Sequence, residues 1–198
     1  MRTEVKEKSM DAYWAERARS YSGMNRAQLY SDRKAAWEAV IFSHVDESCP
    51  LKVLDIGTGP GFFAILAALR GHTVTAVDMN GKMLCHAQEN AAAAGADIGF
   101  MQVGHILPFA KESFDLILSR DVTWTLTEPE KQLESWAQLL RPDGKMLYFD
   151  AEWYFHLKNK ESYDKWQKIK KRIEKAGIVF YPKGGELEEI AADLPNDL

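Results

Sequence analysis

The chain has 198 residues, with 25 Lys plus Arg against 29 Asp plus Glu and a formal net charge of −4. That length suits one domain with a sizeable core, and the near balance of charge argues against a nucleic-acid partner, which selects a basic surface. There is no apolar run of membrane-spanning length and no apolar signal core near the charged start, so a cytoplasmic protein without a membrane span is expected. The two cysteines, Cys49 and Cys85, have neither zinc spacing nor a disulfide framework, which also fits a reducing compartment; Cys85 reads as a small apolar residue packed on a helix.

Residues 1–9 are charged and expected to fray. A helix is predicted over 10–20, carrying Tyr13, Trp14 and Arg17, and a break over 21–25, where Ser22, Gly23 and Asn25 fall. A second helix is predicted over 26–45, with Leu29, Trp37, Val40, Ile41 and Val45 as its apolar stripe and Trp37 in the core. Then comes the most informative stretch, 51–66. A short apolar run ends at Asp55-Ile56, breaks into Gly57-Thr58-Gly59-Pro60-Gly61, and resumes as the helical pattern Phe62-Phe63-Ala64-Ile65-Leu66. Buried parallel strands read as such runs, and glycines let the backbone lie against a ligand beside a helix N-terminus. A strand, a glycine turn and a helix start make a small-molecule corner at the carboxyl end of a sheet.

The second strand, 73–77, ends at Asp78, about 20 residues past the glycine turn. A carboxylate there accepts hydrogen bonds from both ribose hydroxyls, and Met79 can lie on an adenine face. Asn80 is a good cap for a helix over 81–94 that Gly95 ends. A third strand covers 98–103 and a fourth 114–119. Residues just past a strand's carboxyl end face the crevice of an open sheet, which nominates Ser119, Arg120 and Asp121. Thr127 caps a helix running to Leu140, with Glu130 completing a capping box and Pro129 in the first turn. A fifth strand covers 146–150. Trp124, Trp153, Tyr154 and His156 follow strands four and five, where they either line a substrate mouth or pack. From 158 to 175 the chain is densely basic, with Trp166, Ile169, Ile173 and Ala176 on one helical face and the lysines solvated.

The glycine pattern here is G-x-G-x-G, not the G-x-G-x-x-G of dinucleotide sites, and an acid precedes it by two residues. Asp55 would repel a pyrophosphate and suits the cationic S-adenosylmethionine. The run Asp55-Ile56-Gly57-Thr58-Gly59-Pro60-Gly61 resembles the first motif of class I S-adenosylmethionine-dependent methyltransferases, in the broad group that includes ubiquinone- and menaquinone-biosynthesis enzymes. Leu107-Pro108-Phe109 and Leu139-Leu140-Arg141-Pro142-Asp143-Gly144-Lys145 resemble further motifs of that family, Asp143 standing where a glycine is usual. The chain departs from the family at Val103-Gly104-His105-Ile106, where an acid is expected; His105 or a backbone carbonyl then takes the adenine edge.

The resemblance implies a doubly wound, Rossmann-like, mostly parallel α/β sheet of order 3-2-1-4-5 with helices on both faces. It divides one domain into an N-terminal helical lid segment (1–48), a cofactor-binding core (49–157) and a C-terminal helical segment (158–198). The family's closing sixth and seventh strands have no match after residue 177, so the chain is either shortened there or abbreviated in its sheet. An open edge at the fifth strand, or the lid, would favour a homodimer. The implied function is methyl transfer from S-adenosylmethionine to a small molecule. Cofactor contacts are assigned to Asp55, Gly57, Thr58, Gly59, Asp78, Met79, Gly104, His105, Ser119, Arg120 and Tyr21. In this reading Arg120 meets the methionyl carboxylate and Asp121 faces the acceptor, while Tyr21, on the lid, either covers the cofactor or packs. If a general base is used, His156, Asp121 and Tyr21 are the candidates. No metal site is expected. The alternatives are a nicotinamide-dependent oxidoreductase and a non-catalytic cofactor-binding scaffold.

Overall fold

The computed structural model of the chain describes residues 2–151 and 159–175. Five parallel strands form one sheet: β1 (Lys52–Ile56), β2 (Thr73–Asp78), β3 (Ile98–Gln102), β4 (Phe114–Arg120) and β5 (Leu140–Phe149), in the order β3-β2-β1-β4-β5. The helices are α1 (Arg2–Leu29), α2 (Asp32–Phe42), α3 (Phe62–Leu69), α4 (Gly81–Ala94), α5 (Pro129–Ala137) and α6 (Lys160–Lys175). The order reverses at β1, which pairs with β2 on one side and β4 on the other. The expected doubly wound α/β fold is the one formed.

Alternation along the strands explains the two layers. Val53, Leu116 and Leu118 face one cluster with Ile41 and Phe42 of α2 and with Phe62–Ala67 of α3. Leu54, Ile56 and Ile117 face another, with Trp136 of α5 and Leu126. Residues one apart in a strand point to opposite faces, so β1, β2, β4 and β5 each feed both clusters, while β3 feeds the first through Ile98 and Phe100. Trp37 is in the core as expected, edge-on to Phe63 and Phe149 at 5.1 Å each. Val40, placed in the same stripe by sequence, is instead 45% exposed, and Cys85 is exposed rather than packed.

Three boundaries differ from expectation. First, α1 runs from Arg2 through the predicted fray and the predicted break at 21–25. Ser22 and Asn25 favour turns when their side chains bond locally, but here tertiary partners hold them: Asn90 Nδ2 donates to Ser22 Oγ at 3.1 Å, and Asn25 Oδ1 accepts from Arg120 at 2.6 Å. The break falls at Tyr30–Ser31, where Ser31 caps α2 and accepts from Arg33 N.

Second, α5 begins at Pro129 with Glu128 at the cap position and no side-chain cap bond; the Thr127 capping box does not form. Third, β5 takes in the segment predicted as a turn. Its register slips between the Phe114 and Leu116 pairings, and Asp143 sits at φ +66° beside Gly144, whose missing Cβ would lie 2.9 Å from the Arg141 carbonyl. The sixth and seventh strands, Trp153, Tyr154 and His156 fall outside the described residues.

Candidate functional site

The carboxyl ends of β1, β2 and β4 open onto a cavity of about 180 Å³, walled on its far side by α1. Its floor is the turn after β1. Gly57, Gly59 and Gly61 all have positive φ, which glycine adopts without strain. Gly57 is also sterically obliged: a Cβ there would meet Val122 Cγ2 at 2.3 Å.

Asp55 braces this turn. Its Oδ2 accepts from Thr58 Oγ1 at 2.6 Å and from Ala64 N, in the first turn of α3, at 3.0 Å. The residue is 2% exposed. Burial pushes its carboxyl up to about 7, against the lowering effect of those two bonds. Asp55 lines the cavity, but Thr58 and Ala64 hold one of its oxygens, so its first task is to shape the loop.

Asp78 closes the opposite side of the turn. Its Oδ2 accepts from Gly59 N at 2.8 Å and its Oδ1 from Asn80 N at 2.8 Å. Burial raises its pKa, with backbone N–H groups of Asn80, Gly59 and Met79 opposing. Each oxygen keeps a lone pair, so the carboxylate can still accept a pair of hydroxyls. Asn80 caps α4, accepting from Lys82 N and Met83 N, and donates to Asp11 of α1. Met79, Gly104 and His105 line the cavity on the β2–β3 side.

The β4 side differs from expectation in detail. Ser119 is buried, donates to the Ile56 carbonyl at 3.0 Å and is not among the lining residues. It ties β4 to β1, because its alternation turns it away from the crevice. Arg120 does line the cavity, yet its guanidinium bonds Asn25 and Gln28 of α1 and stacks over Phe62 at 4.8 Å and Phe63 at 5.1 Å. It fastens α1 to the sheet.

Asp121 follows at φ +60°, a left-handed conformation that is costly outside glycine and clusters at functional sites. Its Oδ2 accepts from Tyr21 Oη at 3.5 Å. Tyr21 lies over the turn: a Cβ on Gly59 would sit 3.6 Å from Tyr21 Cε1. Burial raises the Tyr21 pKa, with nearby Arg120 opposing, so the phenol stays protonated and donates. Trp14 stands 5.5 Å from Tyr21 and 6.4 Å from Trp124, centroid to centroid.

Several lining residues escaped the sequence reading. Met10 and Asp11 sit in the stretch before the first strand, and Gln132 and Trp136 sit on α5. Their side chains reach the cavity only through tertiary packing, and no local pattern marks them. Thr127, read as a cap, lines the cavity instead. Among the described residues no group of three or more His, Cys, Asp or Glu could hold a metal, and no helix is long and apolar enough to cross a membrane.

This donor set fits S-adenosylmethionine. A turn with glycine at positions 57, 59 and 61 admits a ligand close to the backbone, and an acid with free lone pairs faces it from the end of β2. Comparison with known proteins agrees. Residues 54–148 match the methyltransferase domain family. A malonyl-[acyl-carrier protein] O-methyltransferase of Erwinia pyrifoliae is 32% identical over 145 residues, 73% of this chain and 52% of that one. A ubiquinone biosynthesis O-methyltransferase of Caulobacter is 35% identical over 99 residues, 49% of this chain and 39% of that one. The chain thus spans about half or less of the length of these curated relatives. Among solved structures, Haemonchus contortus phosphoethanolamine N-methyltransferase 1, with phosphoethanolamine and S-adenosylhomocysteine bound, matches at TM-score 0.61 and 25% identity, over 75% of this chain and 33% of that one. These matches lend no support to a nicotinamide-dependent oxidoreductase or a scaffold. Through residues 54–148, the chain belongs to the class I S-adenosylmethionine-dependent methyltransferases.

Proposed function

We propose that this protein transfers the methyl group of S-adenosylmethionine to a small-molecule acceptor. The observation that carries the reading is Asp78, fixed by Gly59 N–H and Asn80 N–H against a turn with glycine at positions 57, 59 and 61. When bound, the cofactor supplies a methyl group already activated on a sulfonium. The protein's part is to align and to exclude water. Asp78 receives the ribose hydroxyls, and Met79, Gly104 and His105 flank the adenine. Asp55 and Thr58 keep the turn open beneath the methionyl part, and Tyr21 and Trp14 of α1 roof it.

Of the three base candidates, Tyr21 is held protonated by burial and acts as a donor, and His156 lies outside the described residues. Of the two candidates that line the cavity, Asp121 is the hydrogen-bond acceptor, and we assign it to receive a proton from the substrate.

Isothermal titration with S-adenosylmethionine and S-adenosylhomocysteine tests the reading. Binding of both is expected, with a loss of about 100-fold in Asp78→Ala, since two charge-assisted hydrogen bonds disappear. Unchanged affinity in that variant would remove the ribose role, and no binding to the folded wild-type chain would remove the function.

Both cysteines are exposed free thiols, which suits the reducing cytoplasm, and cell fractionation checks it. A homodimer through the outer edge of β5, which no strand covers among the described residues, would be excluded by a one-chain mass in light scattering.

A further inference from the structure

The two faces of the sheet give the cavity walls of different chemistry. On the face packed by α3 stand Phe62 and Phe63, with the Arg120 guanidinium stacked over both. On the opposite face stand Leu107, Leu126 and Trp136. Two polar residues of the cavity belong to this second wall: Thr127 follows Leu126 in the chain, and Gln132 precedes Trp136 by four residues on the same face of α5. None of these five carries a charge, so the wall suits a flat, neutral ring rather than the ends of an amino acid.

The ribose acid is joined to this wall. Val103 N donates to the Asp78 carbonyl at 3.1 Å, and Val103 and Leu107 pack against the cluster that holds Leu126 and Trp136. A base carried by a ribose on Asp78 thus has a continuous apolar path from the end of β3 to the first turn of α5. Adenine presents a donor, its 6-amino group, next to ring-nitrogen acceptors. The segment after β3 brings no acid to meet that donor: it reads Val103-Gly104-His105-Ile106, and Ile106 is 88% exposed. On the α5 wall the polar groups are uncommitted, since among the described residues neither Thr127 nor Gln132 makes a side-chain hydrogen bond. Of the two, Gln132 offers an acceptor and a donor side by side on one planar amide.

We propose that Gln132 reads the adenine edge of S-adenosylmethionine. Its amide oxygen accepts from the 6-amino group and its amide N–H donates to the neighbouring ring nitrogen, the pairing by which a Gln side chain recognises adenine. This rests on the methyl-transfer reading above and adds to it a specificity-determining residue, supplied by α5 and not by the segment after β3.

The experiment is isothermal titration of the full chain with S-adenosylhomocysteine and with its 6-deamino analogue, in which purine replaces adenine. The wild-type chain is expected to bind S-adenosylhomocysteine about tenfold or more tighter, because the analogue leaves the amide oxygen unpaired. In Gln132→Met, which keeps an unbranched side chain and removes both polar atoms, the ratio of the two affinities should fall toward one. In Gln132→Glu, which keeps an acceptor and loses the donor, both affinities should fall while the preference for the 6-amino base persists. Thr127→Val should leave the ratio within about twofold of wild type. A ratio taken within one variant cancels any general loosening of the site. A wild-type ratio near one, a ratio unmoved in Gln132→Met, a preference lost equally in Gln132→Glu, or its loss in Thr127→Val instead would overturn the proposal. S-adenosylhomocysteine binding alongside such a result leaves the methyl-transfer reading standing, whereas its failure to bind the folded wild-type chain removes both.

Discussion

The two ends of the sheet handle charge in opposite ways. At the amino end two acids meet cationic partners. Asp115 accepts from Lys52 N at 2.7 Å and from Arg141 at 2.8 Å, and Glu47 takes both Arg70, across two hydrogen bonds, and His72 Nε2 at 3.1 Å. The Arg70 bonds hold the Glu47 carboxyl below its ordinary range. Asp115 is lowered too, since its bonds to Lys52 and Arg141 outweigh the effect of burial. At the carboxyl end, burial raises both Asp55 and Asp78. Three glycines at positive φ, Gly57, Gly59 and Gly61, bring the backbone close to the cavity there. One end pairs its acids with cations; the other keeps Asp55 and Asp78 facing the cavity.

The sharpest way to break that contrast is Gly57→Ala. The new methyl group would sit 2.3 Å from Val122 Cγ2 on a backbone at φ +65°. Overpacking costs about 1–3 kcal/mol and the left-handed backbone about 1–2 more. A loss of about 3 kcal/mol, or roughly 6–12 °C in melting temperature for a chain of this size, is expected, together with loss of S-adenosylhomocysteine binding. Adding Val122→Ala should recover the overpacking part and leave the backbone part. A single variant that melts like wild type would mean that the turn is not built as described.

That turn was also the most legible part of the sequence, and the reason is physical. Asp55, the three glycines and the start of α3 lie within ten residues, so local chemistry alone fixes their geometry. Asp78 was legible because its distance from the turn is set by one helix and one strand. The strand order followed from the same alternation of elements. The lid was not legible. The stretch 21–25 reads as a break, and only Asn90 and Arg120, 68 and 95 residues away from Ser22 and Asn25, make it helical. Arg120 itself was placed at the crevice correctly but assigned to the cofactor, because nothing local reveals that Asn25 and Gln28 hold it. Ser119 was misplaced by one step of strand alternation. Gln132 and Trp136 had no signal, being brought to the cavity by the packing of α5.

A pH series sharpens the comparison. Asp55 has a folded pKa of about 7, above its ordinary 3.8, so the folded chain holds its proton more tightly than the unfolded chain. The stability this contributes is full below pH 3.8 and is lost as pH rises toward 7. Asp78 shifts in the same direction. Wild-type stability should therefore decline across that window, by roughly 1–4 kcal/mol if nothing else titrates. Asp55→Asn should flatten most of the decline, since an amide oxygen still accepts from Thr58 and Ala64 and carries no charge. Denaturant unfolding of both chains across the window checks this; parallel slopes would show that Asp55 is not the group responsible.

The smallest effect belongs to the amino end and has the opposite sign. Glu47 is lowered, so its contribution is present above the ordinary carboxylate pKa and is lost on acidification. Its side chain is 25% exposed and that of Arg70 is 38% exposed, so solvent screens the pair and its worth is held to about 1 kcal/mol or less. Glu47→Gln keeps an acceptor for Arg70 and removes the charge. It should lower stability by that small amount at neutral pH, by less in high salt, and flatten the acid limb where Asp55→Asn flattens the limb above it. Because Glu47 stands at the far end of the strands from the glycine turn, its loss should leave S-adenosylhomocysteine affinity within about twofold, as sites without shared partners behave additively. A change in that affinity as large as the one expected from Asp78→Ala would show that the two ends are coupled through the sheet, and that the charge left uncompensated at one end depends on the pairing at the other.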